Sequence, residues 1–326
     1  MAQDRFRMEQ QGDPKGIPFP LAAFCNPTLL DIVQQSFGGQ FHWITAWAGS
    51  DPIVGIPLLS IQRGPLVRAY SPPCLPFGGP FRLGEARKHW NRENRLQREA
   101  TLALLADLEK RFHQVILFPE DCDWRVPMER SWQTSPRFAL EHRFKPDSLQ
   151  FDTDTMRMVR KAEKAQIEVH CNDGDWSNMG AAFARTFTKQ GMALPYPQEG
   201  VQRFHDLLVQ QDLVQTWTAT DSTGKTIAYL SAFKAMEQGC AYVSWIASHA
   251  ESDASGAMYL LFYRMLESLQ GTCELVDFGG ADHGNVSGFK EHFANHLAVR
   301  QGYQYERNAA LGMAFRTYTA VRGLVR

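Results

Sequence analysis

Apolar positions along this chain alternate between a helical period and a strand period, and the order in which the two periods follow one another occurs twice. In "PTLLDIVQQSFG" (27–38), Leu29, Leu30, Val33 and Phe37 recur at helical spacing. The next stretch, "FHWITAWAGSDPIVGIPLLSIQRGPLVRAYS", reads as three strands, with hairpin chemistry in the Gly-Ser-Asp-Pro turn at 49–52. A charged helix from about Asn91 to Phe112 follows, with Leu96, Leu102, Leu105 and Leu108 among its apolar positions. A short strand "VILF" (115–118), a loop-rich stretch to Trp132 and a strand "RFALEHRF" (137–144) complete the first pass.

The second pass has the same order. "PQEGVQRFHDLLVQQ" (197–211) is a helix with Val201, Phe204, Leu207 and Leu208 on one side. Residues 213–248 give three strands around an Asp-Ser-Thr-Gly turn at 221–224. A helix at 255–270 directs Met258, Leu261, Met265, Leu266 and Leu269 inward. A short strand "ELVDF", a helix "SGFKEHFANH" (287–296) and a strand "AVRQGYQYER" close the pass. The repetition predicts a tandem duplication, with units 1–150 and 151–326, each an α/β unit built on a mixed sheet because hairpins alternate with a crossover helix. The segment "DTDTMRMVRKAEKAQIEV" (152–169) is predicted to be a helix leading into the second unit.

Composition narrows the class. A chain of 326 residues, 44% hydrophobic and 21% charged, suits two ordinary globular domains. No apolar run approaches the roughly 18 residues of a membrane span, and "MAQDRFRMEQQGDPKG" lacks the apolar core of a signal peptide, so a cytoplasmic protein is expected. A net charge of −1 provides no global field for nucleic acid or anionic lipid. Six cysteines scattered singly, with no CxxC pair, argue for reduced thiols and against a zinc framework. His292 and His296 stand four apart without the rest of the zinc-protease motif, so no metal is expected.

The most informative stretch is "ELVDFGGADHGNVSGFKEHFANH" (274–296). A buried-strand pattern stops on Gly279-Gly280, and glycines allow either a tight turn or the close approach of a ligand to the strand end. Phe289-Lys290 opens the predicted helix, where the macrodipole disfavours a lysine. Such a local inconsistency is what functional sites carry, although a solvated helix face is the plain alternative. His283 in the same loop is a candidate general base with no identified partner.

With the repeat laid out, "VGIPLLSI", "PFGGPF" (76–81), "MRMVRKAEKAQIEVH" (156–170) and "DFGGADHGNVSGFKEHF" together carry a resemblance. The chain resembles the GCN5-related N-acetyltransferase (GNAT) fold present twice, as in the peptidoglycan-bridge aminoacyltransferases of the FemABX type and the bacterial acyltransferase-like proteins grouped with them. The last stretch is similar to that family's Asp-x-x-Gly…Phe-Lys signature, with looser spacing, and the chain lacks the long charged coiled-coil insertion of some tRNA-using members.

The resemblance implies a cytoplasmic, metal-independent transferase. It would move an acyl or aminoacyl group from a carrier, acyl-CoA or aminoacyl-tRNA as co-substrate, to a small-molecule or peptide-like amine acceptor. Lys290 and Phe289 would sit at the transfer site, the lysine stabilising the oxyanion or holding a donor phosphate and the phenylalanine packing on the acyl or sugar group. Asp277, Gly279 and Gly280 would shape the strand end where the acceptor enters.

Arg157, Arg160 and Lys161, with Lys164, share one face of the junction helix opposite Met158, Val159, Ala162 and Ala165. They form either a solvated stripe or a phosphate site for a nucleotide-linked substrate or tRNA. Tyr229, Tyr242 and Trp245 line the cleft or belong to the core, and Tyr196 lies in a candidate covering loop, "GMALPYP" (191–197).

In acyl-CoA users of this fold the pyrophosphate rests on backbone N–H groups at the major helix's start. The corresponding "HAESDASGAM" (249–258) places Glu251 and Asp253 where a dianion must approach, with Asp253 or Ser255 as the N-cap. Two unpaired carboxylates there disfavour a standard CoA grip. The first unit, basic and glycine-rich at 76–95 but without Phe-Lys, reads as a degenerate copy that helps hold the acceptor. The alternative reading of the whole chain is a non-catalytic binding protein on the duplicated scaffold.

Overall fold

In the computed structural model, the described residues are 5–13, 24, 26–83, 90–119, 123, 125–146, 149–172, 174–189, 191, 194, 196–236, 239–281 and 284–308. The first half contains β1 (Arg7–Gln11), α1 (Pro27–Phe37), β2 (Gln40–Ala48), β3 (Asp51–Arg63), β4 (Leu66–Tyr70), β5 (Phe81–Arg82), α2 (Trp90–Arg111), β6 (Gln114–Leu117), α3 (Arg125–Glu129) and β7 (Gln133–Arg143). The second contains α4 (Thr153–Lys164), β8 (Glu168–Cys171), α5 (Met179–Lys189), α6 (Gln198–Gln210), β9 (Val214–Thr220), β10 (Thr226–Met236), β11 (Cys240–Ser248), α7 (Ala250–Ser255), α8 (Ala257–Leu269), β12 (Leu275–Gly280), α9 (Gly284–Glu291) and β13 (His296–Glu306). The run α1-β2-β3-β4-α2-β6-α3-β7 is answered by α6-β9-β10-β11-α8-β12-α9-β13, so the predicted duplication is present.

Local chemistry sets most boundaries. Asn26 caps α1 by accepting the Thr28 N–H at 2.9 Å, with Pro27 in the first turn where its missing donor costs nothing. Asp221 holds the β9–β10 turn by accepting the Thr223 and Lys225 N–H groups.

Two boundaries and one buried position differ from the sequence reading. The junction helix, expected to run to 169, ends at Lys164: Gln166 takes a left-handed φ of 54°, and the remainder becomes β8, paired with β9. Ala165, expected on the apolar side, is an exposed cap residue. The last short helix, α9, runs Gly284–Glu291 rather than opening at Phe289, which places Lys290 in its final turn.

Contacts divide the chain into two units, Met1–Pro136 with Arg300–Arg326, and Arg137–Val299. Unit 1 has the strand order β1-β2-β3-β4-β6-β13, antiparallel throughout except for β4 beside β6. Unit 2 has β8-β9-β10-β11-β12-β7, antiparallel except for β11 beside β12. The two orders match position by position, but each unit's sixth strand belongs to the other repeat in sequence. The repeats 1–150 and 151–326 are therefore consecutive, whereas the compact units exchange their closing strands.

Each unit buries its own core around its long crossover helix. In unit 1, Leu96, Ala100, Leu104, Leu105 and Leu108 of α2 pack on Ile44, Ile56 and Leu58, while Leu102 is only partly buried. In unit 2, Leu261, Phe262, Met265 and Leu266 of α8 pack on Leu230, Val276 and Phe278. Among the described residues no helix is long and apolar enough to cross a membrane.

Buried histidines give both cores an acid sensitivity. In unit 1, Arg111 donates to the Gln10 carbonyl, which orients that amide so that its NH₂ donates to His42 Nδ1 at 2.8 Å. His42 is thus neutral with its proton on Nε2, which donates to Ser60 Oγ at 2.7 Å. Burial, with Arg111 adding repulsion, lowers the His42 pKa; burial also lowers those of His142 and His205.

A histidine depressed in the folded state contributes stability above its unfolded pKa of about 6.5, and that contribution is lost as pH falls below it. The urea midpoint should therefore be lower at pH 5.5 than at pH 7.5, and His205→Phe should narrow the difference. Equal midpoints at the two pH values would contradict this.

Candidate functional site

The place where a parallel strand pair lies beside the crossover helix differs between the units. In unit 1 the β4–β6 ladder runs from Arg68↔Gln114 to Tyr70↔Ile116 and then continues. Ser71 N–H donates to Ile116 O, Phe118 N–H to Ser71 Oγ, and Gly78 N–H to Phe118 O. The chain from Ser71 to Gly78 thus folds back over the strand ends. Gly78 is obligatory there, because a Cβ would stand 2.3 Å from that of Ser71. The glycine-rich "PFGGPF" segment is a seal made by the chain on itself, with Phe77 buried under the Arg300 guanidinium at 4.6 Å.

In unit 2 the equivalent ladder stops. The β11–β12 pairing covers Cys240↔Leu275, Ala241↔Val276 and Tyr242↔Asp277. Beyond that row β11 stays on β10 as far as Ser248, and β12 stays on β7 as far as Gly280. Beyond Tyr242 and Asp277 the two parallel strands are each paired only with an outer neighbour.

Both walls are irregular at this level. Ser244 is an extra residue on β11, between Val243 and Trp245 where β10 has consecutive Ala232 and Ser231. Its hydroxyl donates to Ser231 O at 3.1 Å, so the Ser231 hydroxyl donates to Ser244 Oγ at 2.8 Å. A bulge removes backbone groups from the ladder and is a recurrent feature beside active sites. On β12 the register shifts between Asp277 and Gly280, and Gly279 has φ 76°. A Cβ at Gly279 would meet nothing within 4 Å, so this wall borders open space.

Charged side chains gather at the second wall. Asp277 is 1% exposed and accepts the Gly279 N–H on Oδ1 at 2.6 Å. Directly opposite on β7 is Glu141, 5% exposed, whose Oε2 accepts from Arg143 Nε and Nη2 at 3.1 and 3.0 Å. Tyr242 completes the row on the same face. Burial, with the Asp277 and Glu141 carboxylates adding to it, pushes the neighbouring Cys240 thiol up to about 12, an inert thiol at neutral pH.

Lys290, 6% exposed, donates from Nζ to Gly280 O at 2.9 Å. Its place in the last turn of α9 reverses the expected conflict with the macrodipole: the carbonyl end of a helix favours a cation. What sets this lysine apart is its burial, since lysine is almost never fully buried unless paired.

The segment that leads into α8 hydrogen-bonds to itself. The α7 helix occupies 250–255, and Gly256, at φ 81°, turns the chain into α8. At the start of α8, Ala257 N–H is taken by Ser255 Oγ, and Tyr259 and Leu260 N–H by Gly256 O. The N-cap of α8 is Gly256 and not Ser255 as expected, although Ser255 Oγ accepts the first N–H of the helix; the Asp253 side chain lies outside the described residues. Glu251 is not unpaired as expected, because Lys225 Nζ donates to it at 2.6 Å.

A Cβ at Gly256 would also lie 2.6 Å from Met158 O of α4. Gly256→Ala should cost about 2–4 kcal/mol by urea unfolding, from left-handed strain and overpacking combined. A cost below about 0.5 kcal/mol, the size of an ordinary surface change, would show that the α4–α8 contact yields.

Asp277 accepts the Gly279 N–H and lies opposite Tyr242, Lys290 reaches Gly280 O at the end of the same strand, and the other expected residues lie elsewhere. Phe289 is half-buried in an aromatic cluster with Tyr259, Phe262 and Phe293, at centroid distances of 5.1, 5.0 and 5.8 Å. Arg157, Arg160 and Lys161 are exposed on α4, whose inner residues Val159 and Ala162 face the core that contains Val276 and Phe278. By strand alternation Asp277 faces the other side of the sheet. Arg157 is paired with Asp154 at 3.2 Å.

Tyr229 is buried beside Trp176, and Trp245 between Phe183 and Phe204, as parts of the layer under α5 and α6. Burial pushes the Tyr229 hydroxyl up to about 12. Tyr196 is half-buried just before α6; residues 192, 193 and 195 of its loop, and the Asp282-His283 pair, lie outside the described residues. Among the described residues no group of three His, Cys, Asp or Glu could hold a metal ion. Glu141, Arg143 and the Ser244 bulge were not singled out by the sequence.

Comparisons with solved structures show the fold. FemX matches with a TM-score of 0.63 at 13% identity, over 94% of this chain and 99% of that one. The chain has the FemX-type, tandem GNAT-like fold. The C-terminal domain of a putative lysylphosphatidylglycerol synthetase from Agrobacterium fabrum matches at 0.58 with 9% identity, over 92% of each chain. A tandem GNAT protein from the clavulanic acid biosynthesis pathway matches at 0.50 with 11% identity, over 93% of this chain and 99% of that one. No family model and no curated protein matches the sequence.

Proposed function

We propose that this chain transfers an acyl or aminoacyl group from a carrier to an amine acceptor, at the opening between β11 and β12 of unit 2. The observation that carries this reading is the end of the parallel ladder at Tyr242/Asp277, with a glycine wall and a buried lysine beside it. The likeness to FemX and to a putative lysylphosphatidylglycerol synthetase domain supports the same class. Lys290, buried and hydrogen-bonded to Gly280 O, is the group we assign to stabilise the oxyanion of the attacked carbonyl. Holding donor and acceptor on either side of one opening supplies a further part of the rate.

An aminoacyl-tRNA is the donor we favour over acyl-CoA. The N–H groups of Ala257, Tyr259 and Leu260, which would cradle a pyrophosphate, already have acceptors within the chain. Unit 1, whose corresponding strand pair is sealed by Ser71–Gly78, holds no second donor.

Thermal melts with charged tRNA, the same tRNA deacylated, and acetyl-CoA test the choice of donor. A ligand at a hundredfold excess over its Kd stabilises the native state by about 2.7 kcal/mol. The expected result is a clear upward shift with charged tRNA alone. A shift with acetyl-CoA would replace this donor with a thioester. No shift with any of the three would favour the binding-protein alternative.

A further inference from the structure

We propose that the groove between α5 and α6 of unit 2 binds a free α-amino acid, with its carboxylate on Arg203 and its ammonium on Glu199. This site shares no residue with the one assigned to β11 and β12, and it needs no transfer step.

On α6, Gly200, Val201, Phe204, His205 and Leu208 are buried against the core, which leaves a polar side to the same helix. A cavity of about 450 Å³ lies between that side and the start of α5. Its lining includes Asn178, Gln198, Glu199, Gln202, Arg203 and Asp206. The volume is within the range of small-molecule sites.

The walls are held in place from beneath. Gln202 Oε1 accepts the Gly180 N–H at 2.9 Å, and its Nε2 donates to Trp176 O at 3.0 Å and to Asp206 Oδ1 at 2.9 Å. His205, 0% exposed, stacks on Trp176 with ring centroids 4.0 Å apart, and its Nδ1 lies 3.9 Å from the same Asp206 oxygen. The helices approach closely here because residue 180 is glycine: a Cβ would crowd Gln202 Oε1 at 3.2 Å and Gln198 Cγ at 3.3 Å. Asp206 belongs to this frame.

Glu199, Arg203 and Asp206 stand at i, i+4 and i+7 on α6. An acid one turn before a base is the order that favours an intrahelical ion pair. Among the described residues, however, neither Glu199 nor Arg203 has an ion-pair partner, and Asp206 is taken by Gln202 and His205. One carboxylate and one guanidinium, a turn apart, are thus both left to the cavity.

Side chains at this spacing have Cβ atoms about 5–6 Å apart, which suits a ligand with an ammonium and a carboxylate on one carbon. The arginine fork matches a carboxylate, and the Asn178 and Gln198 amides add donors and acceptors to the lining. A simple anion would meet the Glu199 and Asp206 carboxylates, and a simple cation would meet Arg203. A zwitterion satisfies both signs.

Saturation-transfer NMR on the full chain, with an equimolar mixture of the common amino acids, tests this. At least one amino acid should receive saturation, and its Kd should rise about tenfold or more with Arg203→Gln and with Glu199→Gln, as expected for a lost charge-assisted hydrogen bond. Both residues are exposed, so the melting temperature should not move. The N-acetyl derivative of the bound amino acid lacks the ammonium, so it should bind more weakly and be indifferent to Glu199→Gln. The amide derivative lacks the carboxylate and should be indifferent to Arg203→Gln. No saturation of any member of the mixture, binding that survives both substitutions, or equal losses of the two derivatives in both variants would overturn the proposal.

Discussion

Lys290→Met should reduce amide formation by about 10²–10³-fold, the usual loss when one oxyanion donor is removed. The side chain is buried and its ammonium is anchored to Gly280 O, so it is already placed and desolvated when charge develops on the substrate. Methionine has similar length and apolar volume, which limits the cavity left behind. The loss should fall on kcat with KM little changed, because the interaction is made in the transition state. Lys290→Arg should rescue only in part, since a planar fork does not reproduce a compact point charge. A variant whose kcat stays within threefold of wild type would remove this lysine from the chemistry.

Phe262→Ala should destabilise the protein by about 3–5 kcal/mol, the range for deleting a buried phenylalanine. The Phe262 ring is fully buried on α8 and meets Phe278, Phe289 and Phe293 at centroid distances of 5.5, 5.0 and 5.2 Å. These neighbours flank the functional wall: Phe278 is the residue after Asp277, and Phe289 precedes Lys290. Urea unfolding at pH 7.5 measures the cost. A loss under about 1 kcal/mol would mean that the surrounding rings collapse into the space.

Phe289 packs into this aromatic cluster. The sequence reading gave it a place against the substrate, whereas the structure gives its ring to this cluster.

Periodicity made the order of elements legible because helices and strands of each repeat bury one face, and a face is visible in sequence. It could not show which strand closes which sheet. β7 and β13 read as terminal strands of their own repeats, and only pairing reveals that they change places. β8 was read as a continuation of α4 because "AQIEV" has no proline or glycine to mark the break, which Gln166 makes by its backbone alone. α5 was passed over, although Met179, Ala182, Phe183, Thr186 and Phe187 carry a helical repeat.

The site was half legible. Asp277, the two glycines and Lys290 form a local motif and were found together. Glu141 lies far away in sequence, inside an ordinary strand, and becomes its partner only through register. The two glycine-rich segments show the same limit: "PFGGPF" and "DFGG" are alike on paper, yet one seals its strand pair through Gly78 N–H and the other leaves its pair open.

The measurement that tests the central claim most directly is a transfer assay. Protein, tRNA charged with radiolabelled amino acids and a primary amine are incubated at pH 7.5, and the labelled amide is counted. Protein-dependent amide is expected with wild type and with His205→Phe, and its near loss with Lys290→Met at an unchanged melting temperature. No amide from charged tRNA with folded wild-type protein, or equal amide from wild type and Lys290→Met, would contradict it.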